Sequence, residues 1–202
     1  MPTILFNDFW MTVNAMLAFL AVLLGYFFLR SASPTLKVLF GISWLLFLPN
    51  TIYIFTDLQH LVSQWRQVTP AVDPLLILQY TVLQIIGVVT FILGFRPFEK
   101  IINYFSVLKK KKLQVTVAFN FLIAFGMVLG RVERINSWEV VSNPIRVLVS
   151  SFHVLTSLQL LGLTLLFGVV CNIIYFLFRD PVIHTTRKNF RKLSGKLQKF
   201  LD

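Results

Sequence analysis

The chain has 202 residues, of which 56% are hydrophobic and only 13% are charged, and its mean hydropathy is +0.76. A charged share about half that of an average soluble domain excludes an ordinary soluble globular protein and indicates a membrane protein. The formal net charge is +11, which we attribute to Lys and Arg in loops beside anionic lipid, so we expect no nucleic-acid partner. The single cysteine, Cys171, excludes a disulfide within the chain and a cysteine metal cage.

Five apolar runs are long enough to cross about 30 Å of hydrocarbon as α-helices. The predicted spans are residues 9–29, 36–55, 74–95, 113–130 and 152–178, and all 202 residues are assigned to one integral membrane domain. The first run exceeds the apolar core of a signal peptide, and no basic residue precedes it. The predicted fold class is an all-α, polytopic transmembrane helical bundle of about five spans, with possible amphipathic surface helices.

Polar side chains are concentrated where the second predicted span ends, in LPNTIYIFTDLQHL (residues 48–61). Pro49 removes a backbone donor and should interrupt the helix, and the polar side chains that follow it could bond the carbonyl groups that it frees. At helical pitch Asn50, Asp57 and His60 would share one face. Alternatively, the Asp57 side chain caps a helix that begins next to it.

The segment between the third and fourth spans, residues 98–112, has two interpretations. Its apolar residues recur at helical spacing, and the lysines at 100 and 109–112 could anchor it to lipid. This pattern is typical of an amphipathic helix on the membrane surface. The alternative is that the segment only extends the fourth span.

A second polar cluster, GRVERINSWEVVSNP (residues 130–144), follows the fourth span. Ionisable groups at a membrane boundary usually form ion pairs or serve a pathway. We therefore expect the two clusters to meet, with Asp57 and Glu139 pairing with Arg131 and Arg134. The remaining polar residues within the spans should form hydrogen bonds between helices: Asn14, Gln79, Gln84, Asn120, Gln159 and Asn172.

Lysine and arginine are distributed unevenly among the connecting segments. Fifteen of the 19, including every lysine, fall in residues 30–37, 96–112 and 179–202. The positive-inside rule then predicts a cytoplasmic C-terminus and an N-terminus outside. The basic tail, residues 179–202, should attach to anionic lipids at the cytoplasmic face. Both polar clusters would lie at the opposite, extracytoplasmic boundary.

The two clusters together resemble a bacterial integral-membrane family of unknown function. Its pattern is Leu-Pro-Asn-x-x-Tyr-x-x-Thr-Asp-x-x-His, followed by Gly-Arg-x-x-Arg-x-Asn-Ser-Trp, and the resemblance covers most of residues 36–178. It implies a multi-pass protein of the bacterial cell membrane, and it implies no activity and no cofactor. The matching positions are Pro49, Asn50, Tyr53, Thr56, Asp57, His60, Arg131, Arg134, Asn136, Ser137 and Trp138.

The sequence carries no His-Glu-x-x-His, no Gly-x-Ser-x-Gly and no phosphate-binding glycine loop, and two weaker constellations use the first cluster. Asp57 and His60, three residues apart, could bind a divalent metal if Glu139 or His153 joined them. Alternatively, His60 could act as general base, with Asp57 orienting it and Ser137 as nucleophile.

A third constellation is a binding site for an anion. Arg131 and Arg134 could hold a lipid phosphate or a carboxylate, because guanidinium groups bind such anions in a bidentate way. Asn136 and Ser137 would orient the ligand. Trp138 is also typical of the aromatic belt at a membrane interface.

We therefore interpret the chain as a binding or accessory membrane protein with a polar pocket at the extracytoplasmic boundary. The alternatives are a membrane-embedded enzyme acting on a lipid-linked or cell-envelope substrate, and a structural subunit whose motifs lock the bundle. The expected partners are the bilayer, with anionic lipids at the cytoplasmic face, and an anionic lipid or envelope ligand. The candidate binding residues are Asn50, Asp57, His60, Arg131, Arg134, Asn136, Ser137, Trp138 and Glu139.

Overall fold

The computed structural model describes residues 2–65 and 73–201, and within them the side chains of residues 7, 9–65 and 73–189. These residues form helices and no strands. The helices are α1 (Pro2–Arg30), α2 (Pro34–Phe47), α3 (Asn50–Thr56), α4 (Leu58–Trp65), α5 (Asp73–Tyr104), α6 (Ser106–Lys110), α7 (Lys112–Arg131), α8 (Glu139–Ser142), α9 (Pro144–Thr156) and α10 (Leu158–Leu201).

Five helical stretches are long and apolar enough to cross a membrane: Phe9–Arg30, Pro34–Trp65, Asp73–Tyr104, Lys112–Arg131 and Leu158–Asn189. The second of these comprises α2, α3 and α4. The predicted all-α, polytopic fold is therefore confirmed, and the chain is a multi-pass membrane protein. Three of the stretches have 32 residues, whereas about 20 suffice to cross the hydrocarbon, so parts of these helices extend beyond it.

The helix is interrupted between α9 and α10, within residues 152–178, which the sequence predicts to be one continuous fifth span. Ser157 is extended, with φ −81° and ψ 116°, and its hydroxyl accepts a hydrogen bond from the backbone N–H of Leu160. A serine in this position caps the helix that follows. As a result α9 is a separate helix of 13 residues.

Residues 98–112 match neither of their two interpretations. Helix α5 continues past Pro97 and ends at Tyr104, so residues 98–104 extend the third span and not the fourth. Phe105 is then extended (φ −90°, ψ 117°), and α6 has only five residues. The lysines at 109–112 thus lie on α6, at the following break and at the start of α7, and not on one continuous surface helix.

Aromatic side chains from α2, α5, α7 and α10 fill the centre of the bundle. Phe98 and Phe119 stack with ring centroids 3.6 Å apart, and Trp44 donates a hydrogen bond of 2.8 Å to the carbonyl of Gly94. Among the polar residues within spans, Asn120 donates to Asn172 at 2.9 Å. This pair joins α7 to α10 in the way predicted for polar groups between membrane helices.

Consecutive spans run in opposite directions, so the bundle has two chemically different ends. The "Asp57 end" contains the first turns of α1, helices α3, α4, α8 and α9, the start of α5 and the end of α7. The "lysine-rich end" contains the other termini of these spans and every lysine of the described side chains. The two polar sequence clusters meet at the Asp57 end.

Candidate functional site

The second span is interrupted at Leu48 and Pro49, as predicted. Pro49 has no N–H to donate, and Thr51 N–H bonds the carbonyl of Leu48 in a tight turn instead of continuing the α-helical pattern. In a regular α-helix the carbonyls of Leu46 and Phe47 would accept from the N–H groups of Asn50 and Thr51. Across the break neither of these backbone hydrogen bonds forms. In a membrane helix such groups must find other donors, because no water reaches them.

Two residues of the predicted site supply those donors. The amide of Asn50 donates to the carbonyl of Phe47 at 3.0 Å, and the Ser137 hydroxyl donates to the carbonyl of Leu46 at 3.0 Å. Ser137 comes from the segment after α7, so its hydrogen bond ties the two sequence motifs together. Both side chains thus have a structural role in stabilising the proline break.

Helix α7 packs closely against this break through two glycines spaced four residues apart. A Cβ atom at Gly126 would lie 2.7 Å from Cγ of Pro49, and one at Gly130 would lie 1.1 Å from Oη of Tyr53. Glycines at this spacing let membrane helices approach closely. The glycine pair therefore fixes the distance between α3 and α7, and with it the position of Arg131, which follows Gly130.

Asp57 is the centre of the polar network at this end. Its side chain is only 1% exposed and lies 3.3 Å from Nη2 of Arg131. The other carboxylate oxygen accepts a hydrogen bond of 2.8 Å from the amide of Asn14 on α1. The predicted pairing of Asp57 with Arg131 is confirmed, and the capping role is not observed, because both carboxylate oxygens are used by α1 and α7.

His60 contacts the same guanidinium nitrogen as Asp57 does. Nε2 of His60 is 3.2 Å from Nη2 of Arg131. Because an arginine only donates, a hydrogen bond between the two requires Nε2 of His60 to be the acceptor. The edge of the ring also contacts Trp10, with centroids 5.6 Å apart. His60 therefore orients Arg131 in this arrangement.

A second polar network, which was not predicted from the sequence, lies one helical turn beyond His60 on α4. Asn7 and Gln64 exchange two amide hydrogen bonds, of 2.7 and 2.9 Å, and Tyr80 donates to the same Gln64 oxygen at 3.2 Å. Asn7 is fully buried. The available signal was spacing: Asn7 and Asn14 are seven residues apart, so they lie on one face of α1.

The segment between α7 and α8 places its charged residues differently from the prediction. Arg134 is exposed, has a left-handed backbone (φ 55°), and forms no ion pair or hydrogen bond with the other described residues. Glu139 pairs with Arg146 and not with Arg131 or Arg134, and Trp138 is exposed. The prediction that Glu139 forms an ion pair with Arg131 or Arg134 is therefore wrong. The turn at Asn143 brings Arg146 close to Glu139 on α8 instead.

Glu139 also holds the loop that precedes it. Its Oε1 accepts hydrogen bonds from both the backbone N–H and the side-chain amide of Asn136, at 3.0 and 2.9 Å. These donors, first the backbone N–H, and the guanidinium of Arg146 hold the pKa of Glu139 below its ordinary value. A carboxylate that accepts several hydrogen bonds favours its charged form.

A cleft opens beside the proline break, between α2, α3, α7 and the segment from Ile135 to Val147. Its volume is about 170 Å³ and its walls are mostly apolar. Its polar groups come from Tyr53 and from three residues of the predicted site, Asn50, Asn136 and Ser137. Asp57 and His60 are not among the lining residues, so the predicted residues fall into two neighbouring groups and not into one pocket.

The two catalytic constellations are not formed. Ser137 donates to Leu46 while the His60 ring faces Arg131 and Trp10, so the predicted nucleophile and base are not hydrogen-bonded to one another. Each acidic group considered as a metal ligand has its own cationic or histidine partner. Across the described residues, no three His, Cys, Asp or Glu side chains are placed to share a metal ion.

The lysine-rich end has one buried charged cluster that the sequence analysis did not consider. Glu99 of α5 is buried and accepts hydrogen bonds from Tyr175 and Arg179 of α10. Arg179 also pairs with the exposed Asp180. The cluster fastens α10 to α5 at the opposite end from Asp57.

The comparison with protein families matches residues 13–174 to the family described as "Protein of unknown function (DUF1361)". The comparisons with curated proteins and with solved structures found no match. The matched residues extend from α1 into α10 and include the proline break, the Asp57 network and the cleft. Because they make up well over half of the 202 residues, the chain belongs to the DUF1361 family.

Proposed function

We propose that this protein binds an anionic amphiphile, a lipid or lipid-linked molecule, at the Asp57 end of the bundle. We also propose that it resides in a bacterial cell membrane, with the Asp57 end outside and the C-terminal tail in the cytoplasm. The lysines support this orientation, because all ten lie in the segments assigned to the other side. The tail would then lie beside anionic lipid.

The observation that carries the proposal is the apolar cleft beside the proline break. Pockets that enclose a drug-sized ligand have volumes of about 300–1,000 Å³, so a cleft of about 170 Å³ is too small for such a molecule. It is large enough for one apolar group, since an apolar cavity of about 150 Å³ holds a benzene-sized ligand. Part of an acyl or isoprenoid chain would fit the walls, with Asn50 and Asn136 facing the polar end of the ligand.

Arg134 would bind the headgroup. It directly precedes Ile135, which lines the cleft, and it is an exposed cation that forms no ion pair within the described parts of the chain. Its left-handed backbone is a strained conformation of a kind that often occurs at ligand sites. Arg131 is less suited to this role, because its guanidinium already contacts Asp57 and His60. The Asp57 network would hold the segment from Arg131 in place beside the cleft.

A structural subunit is the second candidate, and a specific observation favours it. Asn50 and Ser137 use their hydrogen-bonding groups on the carbonyls freed at Pro49. If these motifs only lock the bundle, the cleft should be filled by bulk lipid without preference. The two candidates therefore differ in whether an anionic lipid stays bound through the cleft and Arg134.

Native mass spectrometry of the purified protein tests this difference. The protein is reconstituted in nanodiscs of phosphatidylcholine and phosphatidylglycerol, released, and scored for retained phosphatidylglycerol. Val147→Trp fills the cleft, and Val149→Trp is its matched control, because Val149 is exposed on the same helix and does not line the cleft. Arg134→Gln is compared with Lys37→Gln at the other end.

We expect both Val147→Trp and Arg134→Gln to reduce retained phosphatidylglycerol at least fivefold, and both controls to leave it unchanged. Melting curves recorded on the same samples exclude loss of fold as the cause. If folded Val147→Trp protein retains as much phosphatidylglycerol as the Val149→Trp control, the binding proposal is wrong and the structural interpretation is preferred.

A further inference from the structure

Helix α9 has an apolar face that nothing in the described bundle covers. It contains five large side chains that are between 58% and 74% exposed. They recur at the spacing of one helical face, at intervals of three or four residues. We call this the bare face of α9, and its residues are Ile145, Leu148, Val149, Phe152 and Leu155.

The opposite face of α9 is packed against the protein. Val154 is fully buried and lies in one apolar cluster with Val128 of α7 and Leu160 of α10. Two polar contacts hold the helix to the preceding segment: an ion pair between Arg146 and Glu139, and a contact of 3.0 Å between His153 and Glu133. The orientation of α9 about its axis is therefore fixed, and the bare face points away from the bundle.

The length and connections of α9 exclude a sixth span. A helix of 13 residues is about 20 Å long, whereas the hydrocarbon is about 30 Å thick. Only one residue, Ser157, separates it from α10, which crosses the membrane. Because the apolar run of α10 begins at Leu158, helix α9 lies close to the point where α10 enters the lipid.

The bare face also continues the lipid-exposed surface of the spans. Leu158, the first residue of α10, is 85% exposed. Five large apolar side chains in water would form a surface patch that soluble proteins avoid. A helix with one apolar face and polar or charged side chains on the other typically lies in the plane of the membrane interface.

We infer that α9 is an interfacial helix whose bare face is inserted into the lipid leaflet at the Asp57 end. The partner of this surface is the bilayer itself, at the boundary between headgroups and acyl chains. The inference goes beyond the proposed function and is independent of what the cleft binds.

Site-directed spin labelling tests the inference in vesicles of phosphatidylcholine and phosphatidylglycerol. Cys171 is the only cysteine and is buried, so Cys171→Ala gives a background for single labels. Labels at Leu148 and, separately, Phe152 report on the bare face. Leu165, exposed on α10, is the lipid reference, and Ser142, exposed before α9, is the water reference.

Collision rates with oxygen and with a water-soluble nickel chelate give the depth of each label. We expect the Leu148 and Phe152 labels to collide with oxygen as the Leu165 label does and to be shielded from nickel. Their depth should be about 5–10 Å below the headgroup boundary. The second position keeps the test valid if one labelled variant fails to fold.

Two results would overturn the inference. Nickel collision rates equal to those of the Ser142 label would place the bare face in water. Low collision rates with both reagents would mean that protein covers it, and a distance of under about 30 Å between labels on two copies would identify a second copy as the cover. Either result excludes lipid as the partner.

Discussion

Removing the charge of Arg131 should destabilise the protein more than removing the charge of Asp57, although both changes break the same ion pair. The reason is the unequal exposure of the two side chains, which is 1% for Asp57 and 35% for Arg131. Arg131→Gln leaves a buried carboxylate without a cation. Asp57→Asn leaves a guanidinium that water still reaches, and Asn14 can continue to donate to the new amide.

The magnitudes follow from this difference. Stranding a buried charge costs about 3–5 kcal/mol, whereas losing hydrogen bonds to a charged group costs about 1.5–3 kcal/mol. For a chain of this size each kcal/mol lowers the melting temperature by about 2–4 °C. Arg131→Gln should therefore lower it by about 6–20 °C, and Asp57→Asn by about 3–12 °C.

The double variant gives the sharpest result. Adding Asp57→Asn to Arg131→Gln removes the stranded charge, so the double variant should melt at a higher temperature than Arg131→Gln alone. The expected coupling energy is about 1–3 kcal/mol, measured from melting curves in one detergent. Glu133→Gln is the control: it removes the charge of a carboxylate that contacts the exposed His153 and should cost less than about 1 kcal/mol.

Two results would refute this reasoning. In the first, Asp57→Asn lowers the melting temperature as much as Arg131→Gln does. In the second, the double variant melts below both single variants. Either outcome would mean that the ion pair is not what couples α3 to α7.

Two further predictions concern the segments around this pair. Gly130→Ala places a Cβ atom 1.1 Å from the Tyr53 hydroxyl and should cost about 1–3 kcal/mol of stability in a melting experiment; Gly162→Ala, which meets nothing within 4 Å, should cost none, and equal losses would contradict the close contact. The lowered pKa of Glu139, from an ordinary 4.5, means that its carboxylate stabilises the loop fully above about pH 4.5 and loses this effect as the pH falls through the lowered value. Hydrogen-exchange protection at Asn136 should therefore decrease in acid in the wild type but not in Glu139→Gln, and an equal decrease in both would contradict the assignment.

Much of the fold could be predicted because long apolar runs leave few alternatives. A run of 18 or more apolar residues must satisfy its backbone within a helix, and the helix break at Pro49 follows from the missing N–H. Pro97 shows the limit of such rules, because α5 continues through it. Its ring packs where Gly25 has no side chain, at a point where a Cβ atom would lie 2.8 Å away. That contact is tertiary and leaves no local signal.

The candidate site was predicted in part for a similar reason. The two motifs carry opposite charges at the same membrane boundary, so the ion pair between Asp57 and Arg131 could be predicted from the sequence. The choice between Arg131 and Arg134 depends on the left-handed backbone of Arg134, and the choice of Arg146 for Glu139 depends on the turn at Asn143 (φ −147°, ψ 65°). Backbone angles in a short connection are set by the packing of the helices on either side, which a single sequence does not reveal.

The hydrogen bond from Ser137 to the carbonyl of Leu46 also affects how the protein is inserted into the membrane during synthesis. Its donor lies 91 residues after its acceptor, so at about 5–20 residues per second the ribosome needs roughly 5–18 s to supply it. Until then the Leu46 carbonyl in the second span lacks this hydrogen bond, and an unpaired carbonyl costs several kcal/mol in hydrocarbon. This span should therefore stay in contact with water or with the insertion machinery until the segment after the fourth span has emerged. The second and fourth spans should enter the lipid as a pair.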